Sequence, residues 1–203
     1  PTLTLAGTEK PFAGRQRLSA DFLIRDETQG RPGVDDQRFE EMRYSLGYAY
    51  SPSSRWTLTA QLPYVQKTVS TASLAKTETH GIGDAELAVK LFLQPSREIP
   101  LRELYGLTLG LRLPTAQEQN DQNGQPVDVD ALPGSGAYVP SVGAWYGRYQ
   151  FPWLFYVSAN FQYALGEGYQ GYRPGDAIVG TALAQYAVTP DIAVHAALDF
   201  RQT

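Results

Sequence analysis

A regular alternation of apolar and polar residues recurs along this chain. In segment 153–163 every odd position is apolar or aromatic: Trp153, Phe155, Val157, Ala159, Phe161 and Tyr163. The even positions become polar after the first two residues. Because successive side chains of a strand point to opposite faces, the segment predicts a β-strand with one apolar face and one face largely in water. Aromatic residues at both ends and aliphatic residues between them are typical of a strand that crosses a bilayer.

The same alternation predicts nine strands, of which 177–188 is strand-like without a clear register. They span 17–25, 43–50, 56–64, 84–93, 107–113, 138–146, 153–163, 177–188 and 192–200. The breaks between them alternate in length: 51–55, 94–100, 147–152 and 189–191 are short, whereas 26–37, 67–83, 114–136 and 164–176 are long, polar and rich in glycine. Outer-membrane barrels have short periplasmic turns and longer external loops, so the alternation indicates a barrel with a periplasmic N-terminus.

These features predict an all-β fold, an antiparallel transmembrane β-barrel of the outer-membrane type. We expect a single domain over residues 1–203, in which 1–14 form an N-terminal periplasmic or plug segment. Nine strands is an odd number, and an open sheet edge is not viable in lipid. Either the alternation misses a strand or further strands follow Thr203, and we favour the second, so the complete barrel is expected to have ten to twelve strands.

Composition removes several classes of protein. The 203 residues contain no cysteine, carry a formal net charge of −4, and include no long basic run, so disulfides, thiolate metal sites and nucleic-acid binding are not expected. No run of eighteen apolar residues exists for a transmembrane helix, and a barrel needs none. No signal peptide is present, so a chain that opens at Pro1 is expected to be a processed product.

Enzyme motifs are absent, and we predict no catalytic residue, cofactor or metal ion. His80 and His195 are far apart with no metal-ligand spacing, and Ser141 lacks the glycine elbow of a hydrolase. Three carboxylates in the third long loop leave two readings open, a divalent-cation site or a solvated acidic loop: Asp121, Asp128 and Asp130.

The polar faces of the strands carry the candidate lumen residues. The charged members are Arg17, Asp21, Arg25, Arg43, Asp84, Glu86, Lys90, Arg112, His195, Asp199 and Arg201. Either these charges form an internal salt-bridge network that fills the barrel, or they line a pore and tune its selectivity. We expect Asp84 to pair with Arg112 or Lys90. The apolar members are Phe92, Leu154 and Tyr156, which favour hydrophobic or aromatic solutes over sugars.

Aromatic residues gather at the strand ends and form a candidate girdle. Those near the short turns are Tyr48, Tyr50, Trp56, Tyr146 and Trp153, and those near the long loops are Tyr64, Tyr138 and Tyr163. Amphipathic rings prefer the two membrane–water interfaces. The alternative is the general richness of β-strands in aromatic residues.

Four short segments carry a resemblance to a known family. They are Gly-Ile-Gly-Asp-Ala-Glu-Leu-Ala-Val-Lys at 81–90, Gly-Leu-Thr-Leu-Gly-Leu-Arg-Leu-Pro-Thr at 106–115, Gly-Ser-Gly at 134–136 and Gly-Tyr-Arg-Pro-Gly-Asp at 171–176. Their order and spacing resemble the bacterial outer-membrane family named for the meta-pathway of phenol degradation, whose members are regarded as transporters. The resemblance implies an outer-membrane barrel, related to fatty-acid-type channels, that passes small hydrophobic or aromatic compounds.

Three hypotheses for function follow. The first is an outer-membrane channel for passive passage of small hydrophobic or aromatic molecules, with membrane lipid and an apolar solute as partners. The second is a structural barrel that acts as a sheath or anchor for a partner protein, without transport. The third is a soluble ligand-binding barrel like a lipocalin, with its apolar face inward. The aromatic strand ends and the opposed charges on the polar face argue against the third.

Overall fold

The computed structural model describes residues 13–30, 37–71, 76–93, 103–120, 124–189 and 192–202. The strands are β1 Arg15–Gln29, β2 Gln37–Ser53, β3 Trp56–Thr71, β4 Lys76–Ile82, β5 Ala85–Phe92, β6 Glu103–Leu113, β7 Val139–Gln150, β8 Trp153–Gln162, β9 Ala177–Ala187 and β10 Ala193–Gln202. Two single-turn 3-10 helices, Val129–Ala131 and Tyr169–Gly171, interrupt the long connections. Most of the expected N-terminal segment 1–14 and the whole short turn 94–100 lie outside the described residues.

Every strand pairs antiparallel with its neighbour, in the order β1-β2-β3-β5-β6-β7-β8-β9-β10, while β4 pairs with the far half of β3. The prediction of an all-β antiparallel barrel of the outer-membrane type is thus confirmed as a half-barrel of nine strands, with β4 and β5 counted as two parts of one strand. Within the described ranges no pairing joins β1 to β10, so the sheet has two free edges.

The alternation along each strand sets which face is apolar. On the outer face large apolar side chains are exposed, as Leu109 and Val157 are at 57% and 52%. The inner-face neighbours of Leu109 are the smaller Thr108 and Gly110, whereas Val157 stands between Tyr156 and Ser158. Over the whole sheet the outer face is apolar and the inner face carries both polar and apolar side chains. No helix among the described residues is long and apolar enough to span a membrane.

The predicted loop 67–83 is wrong, because most of it is strand. β3 continues to Thr71 and β4 covers Lys76–Ile82, so His80 lies on a strand rather than in a loop. β4 and β5 are one strand broken at Gly83 and Asp84, where the register against β3 shifts by one residue. The extra residue is a β-bulge, and it changes which alternate positions face inward. Thr79 and Asp84 are consequently both buried on the inner side.

β1 and β2 also extend beyond their predicted ends at 25 and 43 and make a longer hairpin. Apart from Phe39 and Met42 their extensions are polar, and they carry ion pairs between exposed side chains, such as Arg38 with Asp26 at 2.7 Å. Where both faces of a hairpin meet water, the apolar–polar alternation disappears although the strand does not. The sequence pattern therefore stops at the expected bilayer edge, and the strands continue past it.

Candidate functional site

The inner face of the sheet surrounds a cavity in the middle of the strands. Residues from eight strands line it, including Arg17, Ser19, Gln61, Glu86, Thr108, Arg112, Ser141, Asn160 and Val179. We call this space the central cavity. Because a flat sheet could not bring β1 and β9 to one cavity, the wall must curve strongly around it. Hydroxyl, amide and charged groups share this lining with apolar side chains such as Ala88, Leu111 and Val139, so the central cavity is of mixed polarity.

Glycines in this part of the sheet leave space for polar side chains of the adjacent strands. A Cβ atom added at Gly47 would lie 2.6 Å from Ser19 Oγ, and one at Gly110 would lie 2.4 Å from Ser141 Oγ. At Gly143 the neighbour is Asn160 Oδ1, at 2.1 Å. Each polar side chain thus lies across the glycine of the adjacent strand. A larger residue at any of these glycines would push its polar neighbour into the interior.

The loop 114–138, here called the covering loop, folds over the inner face at the long-loop end. Its main anchor is the buried carboxylate of Asp84, at the β4–β5 bulge. Asp84 accepts hydrogen bonds from Ser135 N at 2.8 Å, Ser135 Oγ at 3.1 Å and Ala116 N at 3.3 Å. The expected pairing of Asp84 with Arg112 is replaced, because Arg112 forms its ion pair with Glu86 at 2.9 Å. The Gly-Ile-Gly-Asp segment therefore ends in the anchor of a loop.

Further contacts hold the covering loop to β3 and β4. Lys67 Nζ donates to the carbonyl oxygens of Asp130 at 3.1 Å and Leu132 at 2.8 Å. Thr79 Oγ1 donates to the carbonyl oxygen of Ala131. Leu132 is fully buried and packs with Val127 and Ala131 in a small apolar core. The covering loop is therefore a folded layer with its own core.

Tyr169, in the connection between β8 and β9, pins the covering loop from the opposite side. Its phenol donates to the carbonyl oxygen of Ala116. Burial raises the pKa of this phenol, and the negative charges of Asp84 and Glu118 act in the same direction. Tyr169 therefore stays a neutral donor through the physiological pH range.

Beneath the covering loop lies a second, charged cavity. Its lining includes Arg43, Lys67, Asp84, Glu86, Arg112, Asp130 and Arg201. Both signs are present, and several of these charges already have partners: Arg43 pairs with Glu41 at 2.7 Å and Arg112 with Glu86. Opposite charges that pair in this way reduce the net field that an ion would meet.

At the short-turn end the interior is filled by an aromatic cluster. Its buried members are Phe92, Leu104, Trp145, Tyr156 and Leu183, with Tyr149 and Leu154 packed against them. The rings of Phe92 and Trp145 meet edge to face with centroids 4.8 Å apart. A Cβ atom at Gly106 would lie 1.8 Å from the backbone oxygen of Leu91 and 2.9 Å from the Trp145 ring, so glycine is required beside this cluster. The interior thus has three levels, namely the charged cavity under the covering loop, the central cavity and the aromatic cluster.

The candidate lumen residues distribute over these levels. Arg17, Glu86 and Arg112 line the central cavity; Arg43, Asp84 and Arg201 lie under the covering loop; Lys90, Phe92, Leu154 and Tyr156 belong to the aromatic end. Arg25 lies by Glu27 near the loop end, Asp21 has one buried carboxylate oxygen without a hydrogen-bond partner among the described residues, and Asp199 accepts from Thr181 Oγ1 at 2.5 Å. His195 is exposed on the edge strand β10.

The candidate girdle residues lie on the outer face. Tyr48, Trp56, Tyr64, Tyr138, Tyr146, Trp153 and Tyr163 are exposed there, and Tyr50 is half-buried. Of the acidic loop residues, Asp128 caps the 3-10 helix Val129–Ala131 by accepting from Asp130 N at 3.3 Å, and Asp121 lies outside the described residues.

Sequence reasoning left out several residues that build the site. Trp145, Leu104, Leu183, Lys67 and Tyr169 were not among the candidates, although Trp145 stands at an inward position of the predicted strand 138–146. The inward alternation was the signal available for Trp145. No local pattern marks Tyr169, since its contact joins two loops that are far apart in sequence.

Two solved structures of outer-membrane channels are similar to this chain. The COG4313 outer-membrane channel from Pseudomonas putida F1 matches with a TM-score of 0.68 and 17% identity, over 96% of this chain and 74% of that one. The chain has the fold of an outer-membrane channel. The CymD monoaromatic hydrocarbon channel matches with a TM-score of 0.54 and 12% identity, over 93% of this chain and 65% of that one. The chain thus spans less than two thirds of CymD.

No protein-family model and no curated protein sequence matches the chain. At identities this low, the likeness to the two channels shows the fold alone. Membership of the phenol meta-pathway family therefore stays a prediction, whereas the outer-membrane barrel architecture is common to this chain and both channels.

Proposed function

We propose that this chain forms part of the wall of an outer-membrane channel. Small hydrophobic or aromatic molecules would pass through it down their concentration gradient. The observation that carries the proposal is the inner face itself, where a central cavity lined by both polar and apolar side chains leads to a cluster of aromatic side chains. Both channels that share the fold support this proposal, and one of them is described as a channel for monoaromatic hydrocarbons. The low sequence identity leaves the solute to be identified by experiment.

The orientation in the membrane belongs to the same proposal. The exposed apolar outer face would contact acyl chains, and its aromatic ends would lie at the two headgroup layers. The short turns and the N-terminus would face the periplasm, with the covering loop on the outside. The charged and aromatic residues of the inner face would then line the route of the solute.

Solute flux across a lipopolysaccharide-containing vesicle tests the channel. Such vesicles are needed because apolar aromatics cross plain phospholipid unaided. The full-length protein should accelerate entry of toluene relative to empty vesicles and should leave the entry of glucose almost unchanged. Converting Leu154 and Tyr156 together to Asp should slow toluene, since both lie in the aromatic end of the interior. Gln150→Asp, an exposed position at the neighbouring short turn, is the matched control and should not slow it.

A structural barrel without transport is the second candidate. It is favoured by the packing at both ends, since the covering loop has its own buried core and the aromatic cluster is almost fully buried. Vesicles that show neither ion conductance nor accelerated toluene entry would support this candidate and refute the channel. Extraction of a protein partner bound to the purified barrel would then be the next measurement.

A further inference from the structure

Lys90 places its side-chain amino group inside the aromatic cluster. Its Nζ lies 3.8 Å from the centroid of the Trp145 ring, 5.1 Å from that of Tyr156 and 5.6 Å from that of Phe92. These distances are in the range of cation–π contacts. Lys90 is only 9% exposed, so its ammonium group is held among rings rather than in open water.

Trp145 adds a hydrogen-bond donor without an acceptor. Its Nε1 is buried, and no atom of the described residues accepts its hydrogen. A buried N–H group normally has a partner, because burial without one costs free energy. The same indole therefore offers an unused donor close to the ammonium group that lies over its ring.

The cluster lies directly beyond the central cavity. Ala88 lines that cavity, and Lys90 follows two residues later on the same face of β5. Thr108, which also lines the cavity, is the register partner of Lys90 across the sheet. A solute that moves from the central cavity toward the short turns thus meets Lys90 and Trp145 next.

We propose that Lys90 and Trp145 bind the carboxylate of small aromatic acids as these pass through the barrel. This inference rests on the channel function proposed above and narrows its substrate class. The carboxylate would pair with the Lys90 ammonium group and accept a hydrogen bond from Trp145 Nε1, while the ring of the solute packs against Tyr156 and Phe92. Both polar groups are hydrogen-bond donors, so a carboxylate can accept from both, whereas an aromatic hydrocarbon can accept from neither.

Tryptophan fluorescence gives a direct test, because the chain contains three tryptophans. Trp56 and Trp153 lie on the outer face, and replacing both with Phe leaves Trp145 as the sole indole. Titration of this full-length variant in detergent with benzoate, benzyl alcohol and acetate compares an aromatic acid with a neutral ring and a ringless acid. We expect benzoate to bind roughly tenfold to hundredfold more tightly than either, the range for hydrogen bonds to a charged group.

Substitutions then assign the preference to the two residues. Lys90→Met should abolish the preference for benzoate, Lys90→Arg should retain most of it, and Lys76→Met at an exposed site should leave it unchanged. Trp145→Phe keeps an aromatic ring but removes the N–H donor, and its effect is measured as a loss of benzoate flux relative to benzyl alcohol in vesicles. This second readout remains decisive if Lys90→Met fails to fold.

The outcomes separate this inference from the channel proposal. Equal affinity for benzoate and benzyl alcohol, or a preference that survives both Lys90→Met and Trp145→Phe, would overturn the carboxylate site. If toluene still crosses in that case, the channel stands without the site. If benzoate binds at Trp145 but no solute crosses, the site stands and the channel function fails.

Discussion

Replacing Asp84 with alanine should release the covering loop from the inner face. The Asp84 carboxylate accepts two close hydrogen bonds from Ser135 and a longer one from Ala116 N. A hydrogen bond to a charged acceptor contributes about 1.5–3 kcal/mol, so loss of the two close bonds removes roughly 3–6 kcal/mol from the docked state of the loop. The hydrogen bonds of Lys67 and Tyr169 to the covering loop remain in this variant. Their contributions to docking are coupled to that of Asp84, so the free energies are not simply additive. Since about 1.4 kcal/mol corresponds to a factor of ten, the undocked population should rise at least ~100-fold.

The absence of cysteine makes this prediction easy to measure. Ala131→Cys introduces one thiol at a covering-loop position that is 2% exposed, so a maleimide can react only when the loop lifts. The labelling rate in detergent should rise about 100-fold or more when Asp84→Ala is added. Gly124→Cys, at an exposed position of the same loop, is the control. Its labelling rate should be the same with Asp84 and with Asp84→Ala. An unchanged rate at position 131 would show that Asp84 does not hold the loop.

Three other predictions test the faces, the topology and the loop contacts. Leu109→Arg on the outer face should lower the free energy of unfolding from vesicles by about 2–4 kcal/mol, measured by urea titration; an unchanged value, with polar probes reaching position 109, would reverse the assignment of the two faces. An epitope inserted next to Gly124 should be detected on intact cells, and detection only after permeabilisation would invert the topology. The pKa of Tyr169 is raised in the folded protein, so its hydrogen bond to Ala116 persists below the ordinary tyrosine pKa and is lost as pH rises through the raised value. Alkaline pH should therefore expose the covering loop to protease, and Tyr169→Phe should remove that pH-dependent step.

The strands of the barrel wall could be predicted from the sequence because each strand shows its own alternation of apolar and polar residues. Alternation over 107–113 or 153–163 depends only on which face meets which solvent, so it is readable without knowledge of the partner strand. The pattern weakens where side chains are small. On β9 the outward positions include Gly180 and Ala182, and the ring of Phe200 on β10 covers Gly180, so no register was visible there.

The interior could be predicted only in part, because it depends on contacts between distant segments. The inward positions of Lys90, Phe92 and Tyr156 follow from alternation, but their meeting with Trp145 requires the curvature of the sheet. The anchoring of Ser135 by Asp84 spans 51 residues and has no local signal. A charged residue on a polar face was expected to find an opposite charge, whereas Asp84 is satisfied by neutral donors of the loop backbone and a hydroxyl group.

The bulge at Gly83 and Asp84 has a consequence for how such a protein can change. Below it, β3 and β5 keep one register, and above it β3 and β4 keep another. An insertion or deletion in the β3–β4 hairpin would therefore change the register only above the bulge. The strands that surround the central cavity would keep their positions. The β3–β4 hairpin could therefore diversify in evolution while the strands around the central cavity keep their register.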